Sequence, residues 1–161
     1  MSVRYQALRT DLVRALQAGT PDANGQAPER HVSDGNGNPC RHCLKDIEAG
    51  APMLVLAHRP FPTAQPYAEL GPIFLHADSC PRHEAAAGMP AMFLQRRAYM
   101  IRGYGPDHRI VYGSGAIAAP SEMDEHAENL LGRSNIAYLH VRSGSYNCYQ
   151  CRIDRVSEID E

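Results

Sequence analysis

The chain has 161 residues, a formal net charge of -2 and 43% hydrophobic residues. This length and composition suffice for one domain, residues 1–161, with a hydrophobic core of its own. The near-neutral charge argues against nucleic acid as a partner, because a phosphate backbone is bound by a basic surface. No apolar run approaches the roughly 20 residues of a membrane span, and the first residues lack the apolar segment of a secretory signal. We therefore expect a cytoplasmic protein with no membrane partner.

The first half of the sequence predicts a helix, a loop and two strands. Apolar residues recur at helical spacing through residues 4–18, which places an N-terminal helix within residues 1–19. Residues 20–39 are rich in Gly, Asn, Asp and Pro, and we interpret them as a flexible loop. Continuous apolar runs at residues 53–58 and 73–77 are typical of core strands that are covered on both faces.

The second half predicts two hairpins and a late helix. Strands at residues 97–104 and 109–112 flank a Gly-Pro-Asp turn signal, and a last hairpin joins residues 137–142 to residues 146–156. Between the hairpins, apolar residues at helical spacing predict a helix over residues 121–132. This order of elements predicts an α+β fold, a single compact domain built mainly on antiparallel sheet with an N-terminal helix and one late helix.

Four potential metal ligands occur as two short chelating pairs, Cys40 with Cys43 and His76 with Cys80. Zn²⁺ prefers thiolate and imidazole, and a Cys-x2-Cys turn allows two sulfur atoms to reach one metal. His76 ends an apolar strand and Cys80 follows a turn just before Pro81, so this pair can fold back on the same ion. The pattern predicts a tetrahedral zinc site, and four protein ligands are typical of a structural metal.

A second Cys-x2-Cys pair, Cys148 and Cys151, leaves the ligand set open. A zinc site with four cysteines is chemically as good as one with three cysteines and a histidine. In a regular strand, residues three apart point to opposite faces, so only a bulge or turn would allow both thiols to bind one metal. The alternative is that Cys151 is a small buried apolar residue.

Cys40 and Cys43 also resemble the dithiol of thioredoxin-like oxidoreductases, because His42 lies between the two cysteines. Such thiols are reactive where a helix N-terminus and nearby positive charge lower one thiol pKa. Here a loop rich in Gly and Asn precedes the motif, and no βαβ pattern follows it. A redox dithiol is therefore the rival to the zinc interpretation.

Four polar residues on the last predicted hairpin form a second candidate site. His140 and Arg142 alternate with apolar residues, and Arg152 and Asp154 can lie across from them. His, Asp and Arg on one sheet face can carry out general acid and base chemistry or bind an anion. We favour the alternative of a solvated face with cross-strand ion pairs.

Several segments of the sequence resemble one bacterial protein family. They are Pro39-Cys-Arg-His-Cys-Leu-Lys-Asp46, Gly71-Pro-Ile-Phe74, Ala137-Tyr-Leu-His-Val-Arg142 and Cys148-Tyr-Gln-Cys-Arg-Ile-Asp-Arg155. The chain is identified on these segments as similar to domain-of-unknown-function family twelve-oh-three, from about Pro39 to the C-terminus. The resemblance implies a compact bacterial α+β core at residues 40–161, and it supplies no activity and no substrate.

The sequence thus predicts a soluble zinc-binding protein whose metal is structural and whose role is binding or scaffolding. The alternative class is an enzyme. One version is a zinc-dependent hydrolase with an open coordination position, and the other is a thiol-disulfide redox protein that uses Cys40 and Cys43. Zinc is the predicted cofactor, and the sequence identifies neither a catalytic residue nor a partner.

Overall fold

The computed structural model describes residues 3–157. Within that range the chain forms two α-helices and eight strands, so the predicted α+β class is confirmed. In chain order the elements are β1 (Val3–Gln6), α1 (Thr10–Gln17), β2 (Glu29–Val32), β3 (Pro52–His58), β4 (Gly71–His76), two 3-10 helices (Ala85–Ala87 and Ala91–Gln95), β5 (Tyr99–Tyr104), β6 (Ala116–Ala118), a third 3-10 helix (Pro120–Glu122), α2 (Met123–Leu131), β7 (Tyr138–Ser143) and β8 (Tyr149–Arg155). No helix in the described range has the length and apolar character needed to cross a membrane.

The described chain divides into two compact units. We call residues 7–83 the N-terminal unit, and residues 3–6 with residues 84–157 the C-terminal unit. The N-terminal unit holds a three-stranded sheet in the order β2-β3-β4, and the C-terminal unit holds a five-stranded sheet in the order β1-β8-β7-β5-β6. All neighbouring strands are antiparallel, as predicted. One domain over residues 1–161 stays a prediction, and its first two and last four residues lie outside the described range.

The core of the N-terminal unit lies between α1 and its sheet. Val13 and Leu16 of α1 are buried in one cluster with Leu54 and Leu56 of β3 and Leu75 of β4. Removing these side chains from water stabilises the unit by about 1.5–3 kcal/mol for each fully buried residue. The two apolar runs predicted as strands are therefore confirmed as β3 and β4.

The N-terminal helix is shorter than predicted. Residues 3–6 form β1, which pairs with β8 near the other end of the chain and places Tyr5 opposite Ile153. Tyr5 is fully buried, and α1 begins only at Thr10. A pairing between segments so distant in sequence has no local signature, so helical periodicity alone extended the helix too far.

The segment predicted as a flexible loop, residues 20–39, contains β2. This strand pairs with β3, with Glu29 opposite Val55 and His31 opposite Met53. Its four residues are all exposed, so it lacks the apolar alternation by which a sequence reveals a strand. The interpretation as an irregular loop is therefore wrong for this part of the segment.

The predicted hairpin at residues 97–112 is half right. Its first strand is β5, but β5 pairs with β6 and β7 instead of residues 109–112. Ile110 makes only an isolated bridge with Tyr104. The longer ladder with β7 buries Ile101 beside Val141, which a two-stranded hairpin could not do.

The predicted late helix and last hairpin are confirmed. Helix α2 packs against β1, β5, β7 and β8 of the same unit, and its buried residues are Met123, Ala127, Leu130 and Leu131. Strands β7 and β8 form the hairpin, with a shift in register that places Val141 opposite Cys151 but Arg142 opposite Tyr149. Gln150 is the extra residue of this bulge, and the shift carries Tyr149 onto the same face as Arg142.

Candidate metal centre

The structure brings the four predicted ligands together. The donor atoms of Cys40, Cys43, His76 and Cys80 all lie within 4.8 Å of one another. The Cys40 and Cys80 Sγ atoms are 3.9 Å apart, and the Cys43 Sγ atom is 3.5 Å from His76 Nδ1. A tetrahedral Zn²⁺ with bonds of about 2.3 Å to sulfur and about 2.0 Å to nitrogen has edges of about 3.8 Å between two sulfurs and about 3.5 Å between sulfur and nitrogen. The cluster therefore has the dimensions of a tetrahedral metal site.

A tight turn directs the first two thiols toward one point. The Leu44 amide donates a hydrogen bond to the Cys40 carbonyl at 3.0 Å, and the Cys40 amide donates to the Lys45 carbonyl at 3.0 Å. Leu44 takes a left-handed φ of 53°, although its side chain is almost fully buried. Cys40 also bridges to Phe74 of β4, which holds the turn beside the strand that ends at His76.

Helix α1 holds the segment that carries the other two ligands. The side-chain amide of Gln17 donates hydrogen bonds to the carbonyls of His76 and Asp78, each at 2.9 Å. The guanidinium of Arg14 donates to the Cys80 carbonyl at 2.8 Å. These contacts fix the backbone between the end of β4 and Cys80, so that both side chains meet the Cys-x2-Cys turn.

Two further side chains support the ligands from outside. Glu48 contacts His76 Nε2 at 3.2 Å, while Nδ1 of the same ring faces the cluster. His42 contacts the Cys80 Sγ atom at 3.2 Å through Nδ1 and the Thr10 hydroxyl at 2.9 Å through Nε2. Contacts of this kind orient ligating rings and thiolates. The sequence did not predict these two supporting contacts, because each joins residues that are far apart in the chain. The residue types, a carboxylate and an imidazole, were the only features that could have indicated them.

Hydrogen bonds within the cluster stabilise a single thiolate. The thiols of Cys43 and then Cys80 hold the pKa of Cys40 well below its usual range. The hydrogen bond with Cys40 is also the main cause that raises the pKa of Cys43, to about 11, and that raises the pKa of Cys80. By themselves, the protein groups therefore favour one negative charge, and a divalent cation supplies the charge that three thiolates require.

The two histidines of the site differ electrostatically. Burial lowers the pKa of His76, but its hydrogen bonds with Cys40 and Glu48 outweigh burial and raise the pKa overall. Burial is also the main influence on His42, and there it lowers the pKa, which favours the neutral ring. A neutral imidazole donates one hydrogen bond and accepts another, which matches its position between a thiol sulfur and a hydroxyl.

A cavity of about 300 Å³ borders the cluster. Cys43, His76 and Cys80 line it, together with Glu48 and Lys45. Of the four potential ligands, only Cys40 is absent from the lining. The cluster is thus closed on the side of Cys40 and faces the cavity with its other three ligands.

The surroundings of Cys40 and Cys43 differ from those of a redox dithiol. Residues 41–43 form a turn, and neither described α-helix begins there. Cys40 is completely buried. A dithiol enzyme needs a thiol that its partner can reach and a helix N-terminus that favours the thiolate.

The alternative ligands Cys148 and Cys151 lie in the C-terminal unit. Cys148 precedes β8 and is partly exposed, whereas Cys151 is buried opposite Val141. Among residues 3–157, no group of three potential ligands includes either cysteine. A role for this pair in metal binding stays a prediction.

The second candidate site is not the solvated face that we expected. His140 and Arg142 are buried, while Arg152 and Asp154 are partly exposed and joined by a hydrogen bond of 2.7 Å between Nε and Oδ1. The burial has a physical reason, because the rings of Tyr104, Tyr138 and Tyr149 pack around His140. The ring of a tyrosine can bury a neighbouring polar side chain while its hydroxyl group still forms hydrogen bonds. The alternation of residues along one strand does not predict such burial, because the tyrosines belong partly to other strands.

Fold and site together define an α+β protein with a Cys3His cluster of tetrahedral dimensions. The chain belongs to DUF1203, a protein family of unknown function, which matches residues 37–155. The match includes all four clustered residues, and the predicted family is confirmed. No curated protein and no solved structure matches the chain.

Proposed function

We propose that this chain binds one zinc ion through Cys40, Cys43, His76 and Cys80, that the zinc is structural, and that the protein serves in binding or scaffolding. The observation that carries the proposal is the agreement of two edges of the cluster, 3.9 Å between sulfurs and 3.5 Å between sulfur and nitrogen, with a tetrahedral site. Four residues from two separate segments of the chain meet at that spacing.

The donor set supports zinc over other metals. Three thiolates and one imidazole in a tetrahedron are typical of Zn²⁺, whereas Mg²⁺ and Ca²⁺ prefer oxygen ligands. Iron–sulfur clusters of the common types use four cysteines. The described N-terminal unit contains three cysteines, which are Cys40, Cys43 and Cys80, so it provides no fourth thiolate for such a cluster.

A structural role is supported by what the ligands join. The Cys40–Cys43 turn and the segment from His76 to Cys80 both belong to the buried cluster formed by α1, β3 and β4. A metal bound to all four residues would tie the turn to the end of β4 and contribute directly to folding. Four protein ligands also complete the coordination sphere of a tetrahedral zinc ion, which leaves no coordination position for a substrate.

One observation favours an enzyme as the second candidate. The cavity of about 300 Å³ lies against His76, Cys43 and Cys80. A zinc-dependent hydrolase would need a water molecule in place of one protein ligand, and His76 is one of the three potential ligands that line the cavity. The redox version has less support, because Cys40 is completely buried.

The proposal includes a reducing compartment, the cytoplasm. All five cysteines are free thiols in the structure. Zinc–thiolate sites with free cysteines nearby persist where thiols are kept reduced.

The test is the zinc content of purified protein, measured by elemental analysis and native mass spectrometry. We expect one zinc per chain in the wild type and in the control Cys148→Ser, and loss of zinc in Cys80→Ser and His76→Ala. Thiol alkylation should be slow for the three clustered cysteines until a chelator is added. Full zinc content in both ligand variants would contradict the proposal and move the site to Cys148 and Cys151. A metal-free wild type whose Cys40 and Cys43 form a disulfide reversibly would make the redox dithiol the leading function.

A further inference from the structure

A second cavity of the N-terminal unit lies at the end of β3, and we call it the β3 cavity. Its volume is about 350 Å³, and it shares no lining residue with the cavity beside the metal cluster. Its walls come from helix α1, from the loop at residues 21–23, and from the end of β3 with the residues that follow it, 56–59 and 61–64. Clefts that bind small molecules have volumes from about 300 Å³ upward.

One side of the β3 cavity is apolar. Leu16 of α1, Leu56 of β3 and Phe61 of the following loop are buried, whereas Leu12 of α1 is 39% exposed. We call these four residues the apolar wall. It continues the hydrophobic core outward to the surface, so a ligand with a short hydrocarbon body would remove the exposed part of Leu12 from water.

Arg59 brings a positive charge to the same cavity. Its Nε atom is buried, and no described residue accepts a hydrogen bond from it. The ion pairs within residues 3–157 do not include Arg59 either. A buried donor without an acceptor costs free energy, and a ligand that supplies the acceptor removes that cost.

The carboxylate of Asp22 also lines the cavity, but backbone amides satisfy it. Its Oδ1 atom accepts hydrogen bonds from the amides of Asn24 and Gln26 at 2.9 and 3.1 Å, and its Oδ2 atom accepts one from the Ala57 amide at 2.9 Å. These hydrogen bonds, above all the one from Ala57, lower the pKa of Asp22. Asp22 therefore fastens the loop to β3 and fixes this wall of the cavity, and it does not neutralise Arg59.

His58 adds a polar group without charge. It follows Leu56 by two residues in β3, so both side chains lie on the same face of the strand. Burial lowers the pKa of His58 to about 4, which leaves the ring neutral near pH 7. Of the described residues that line the cavity, Arg59 is thus the one cation, and an anion has a single partner there.

We propose that the β3 cavity binds a small organic carboxylate, with its carboxylate group on the Arg59 guanidinium and its hydrocarbon part against the apolar wall. A guanidinium and a carboxylate can form two parallel hydrogen bonds. The apolar wall favours an organic acid over inorganic phosphate, because phosphate has no hydrocarbon part that would remove leucine side chains from water. The proposal does not depend on zinc, since none of the four clustered residues lines this cavity.

An NMR titration of the full chain, as purified, with the branched aliphatic acid 4-methylpentanoate tests the proposal. We expect saturable shifts of the amide signals of residues 12–23 and 56–64. Arg59→Gln should bind the acid about tenfold more weakly, because the charge and the paired donors are lost. The matched control is Arg30→Gln, since Arg30 belongs to the three-stranded sheet of the same unit but lies on the exposed strand β2. Its affinity for the acid should equal that of the wild type.

Two further ligands separate the contributions of the carboxylate and the hydrocarbon part. The amide 4-methylpentanamide keeps the shape of the acid without its charge, and inorganic phosphate keeps a negative charge without the hydrocarbon. Each should bind about tenfold more weakly than the acid. Should Arg59→Gln fail to fold, Arg59→Lys carries the test, because it keeps the charge but loses the fork and should bind the acid more weakly than the wild type does.

The proposal is overturned if the acid produces no saturable shifts, or if the shifts lie outside the residues that line the β3 cavity. It is equally overturned if the amide or phosphate binds as tightly as the acid. Wild-type affinity in a folded Arg59→Gln variant, or in Arg59→Lys where that variant carries the test, would contradict it as well. So would a loss of affinity in Arg30→Gln as large as the loss in the Arg59 variant.

Discussion

At the scale of single residues, Glu48 is the side chain that orients His76, one of the four potential metal ligands. Its carboxylate contacts Nε2 of the ring whose Nδ1 faces the three thiols. The chain contains a second Glu–His pair of the same type, Glu29 with His31 at 2.8 Å, on the exposed strand β2 and away from the cluster. The two pairs separate the effect of orienting a ligand from the effect of losing a surface charge.

We predict that Glu48→Gln lowers the affinity for zinc about tenfold while one zinc per chain is retained. The physical reason is that a ring without its carboxylate partner is less well oriented and less basic. Competition with a chromophoric chelator measures the affinity, and Glu29→Gln is the matched control. Equal affinities in Glu48→Gln and the wild type would show that the exposed carboxylate does not orient the ring.

Leu44 combines a strained backbone with a buried side chain. Its φ of 53° belongs to the left-handed region, which costs a residue with a Cβ atom about 1–2 kcal/mol. Burial of the leucine side chain, worth about 1.5–3 kcal/mol, offsets that strain. This balance explains why a non-glycine residue occupies the position after the second cysteine.

We predict that Leu44→Ala and Leu44→Gly both destabilise the protein, and that the alanine variant is the less stable by about 1 kcal/mol. Both variants lose the buried side chain, but alanine keeps the Cβ atom that causes the strain. Denaturant unfolding of the zinc-loaded proteins measures the difference in free energy of unfolding. A glycine variant less stable than the alanine variant would contradict the left-handed conformation.

At the scale of secondary structure, α1 acts as the support for the segment from His76 to Cys80. Gln17 donates to two carbonyls of that segment, and Arg14 donates to a third. The apolar face of the same helix is buried against β3 and β4. The helix therefore links the hydrophobic core to the backbone of two potential ligands.

We predict that Gln17→Ala lowers the free energy of unfolding by about 1–2 kcal/mol, because two hydrogen bonds to the backbone are lost. The control is Gln26→Ala, an exposed glutamine of the same unit, which should change stability by less than about 0.5 kcal/mol. Urea unfolding at constant zinc concentration provides the comparison. Equal stability of the Gln17 variant and the wild type would show that α1 does not support this segment.

Elements with a local signal were predictable, and those defined by distant partners were not. The apolar runs of β3 and β4 and the helical spacing of α2 are contained in a few consecutive residues. By contrast, β1 exists only because β8 pairs with it, and β2 shows no apolar alternation because all its residues are exposed. The pairing of β5 with β7 likewise prevailed over a turn signal that favoured a local hairpin.

The same distinction applies to the candidate sites. Spacing alone predicted Cys40, Cys43, His76 and Cys80, because chelating pairs are short motifs, and the structure brings these four residues together. The supporting contacts of Glu48 and His42 join separate segments and leave no motif. For His140, strand alternation gave the correct face, but burial came from tyrosines on neighbouring strands.

At the scale of the whole molecule, the potential ligands all lie in the N-terminal unit, residues 7–83. Zinc bound there should stabilise that unit more than the C-terminal unit, because a ligand stabilises the elements that it joins. We predict that chelation speeds amide hydrogen exchange in residues 40–46 and 76–80 and leaves the exchange of residues 84–157 nearly unchanged. Mass spectrometry of peptides before and after chelation measures this. Faster exchange confined to the peptides around Cys148 and Cys151 would contradict the assignment of the ligands.

The measurement that tests the central claim most directly is the X-ray absorption spectrum of the zinc-loaded protein at the zinc edge. A closed site predicts three sulfur scatterers at about 2.3 Å and one imidazole nitrogen at about 2.0 Å, with no oxygen from water. Four sulfurs would contradict the ligand set, and an oxygen in place of the imidazole nitrogen would contradict the structural role and favour a catalytic zinc.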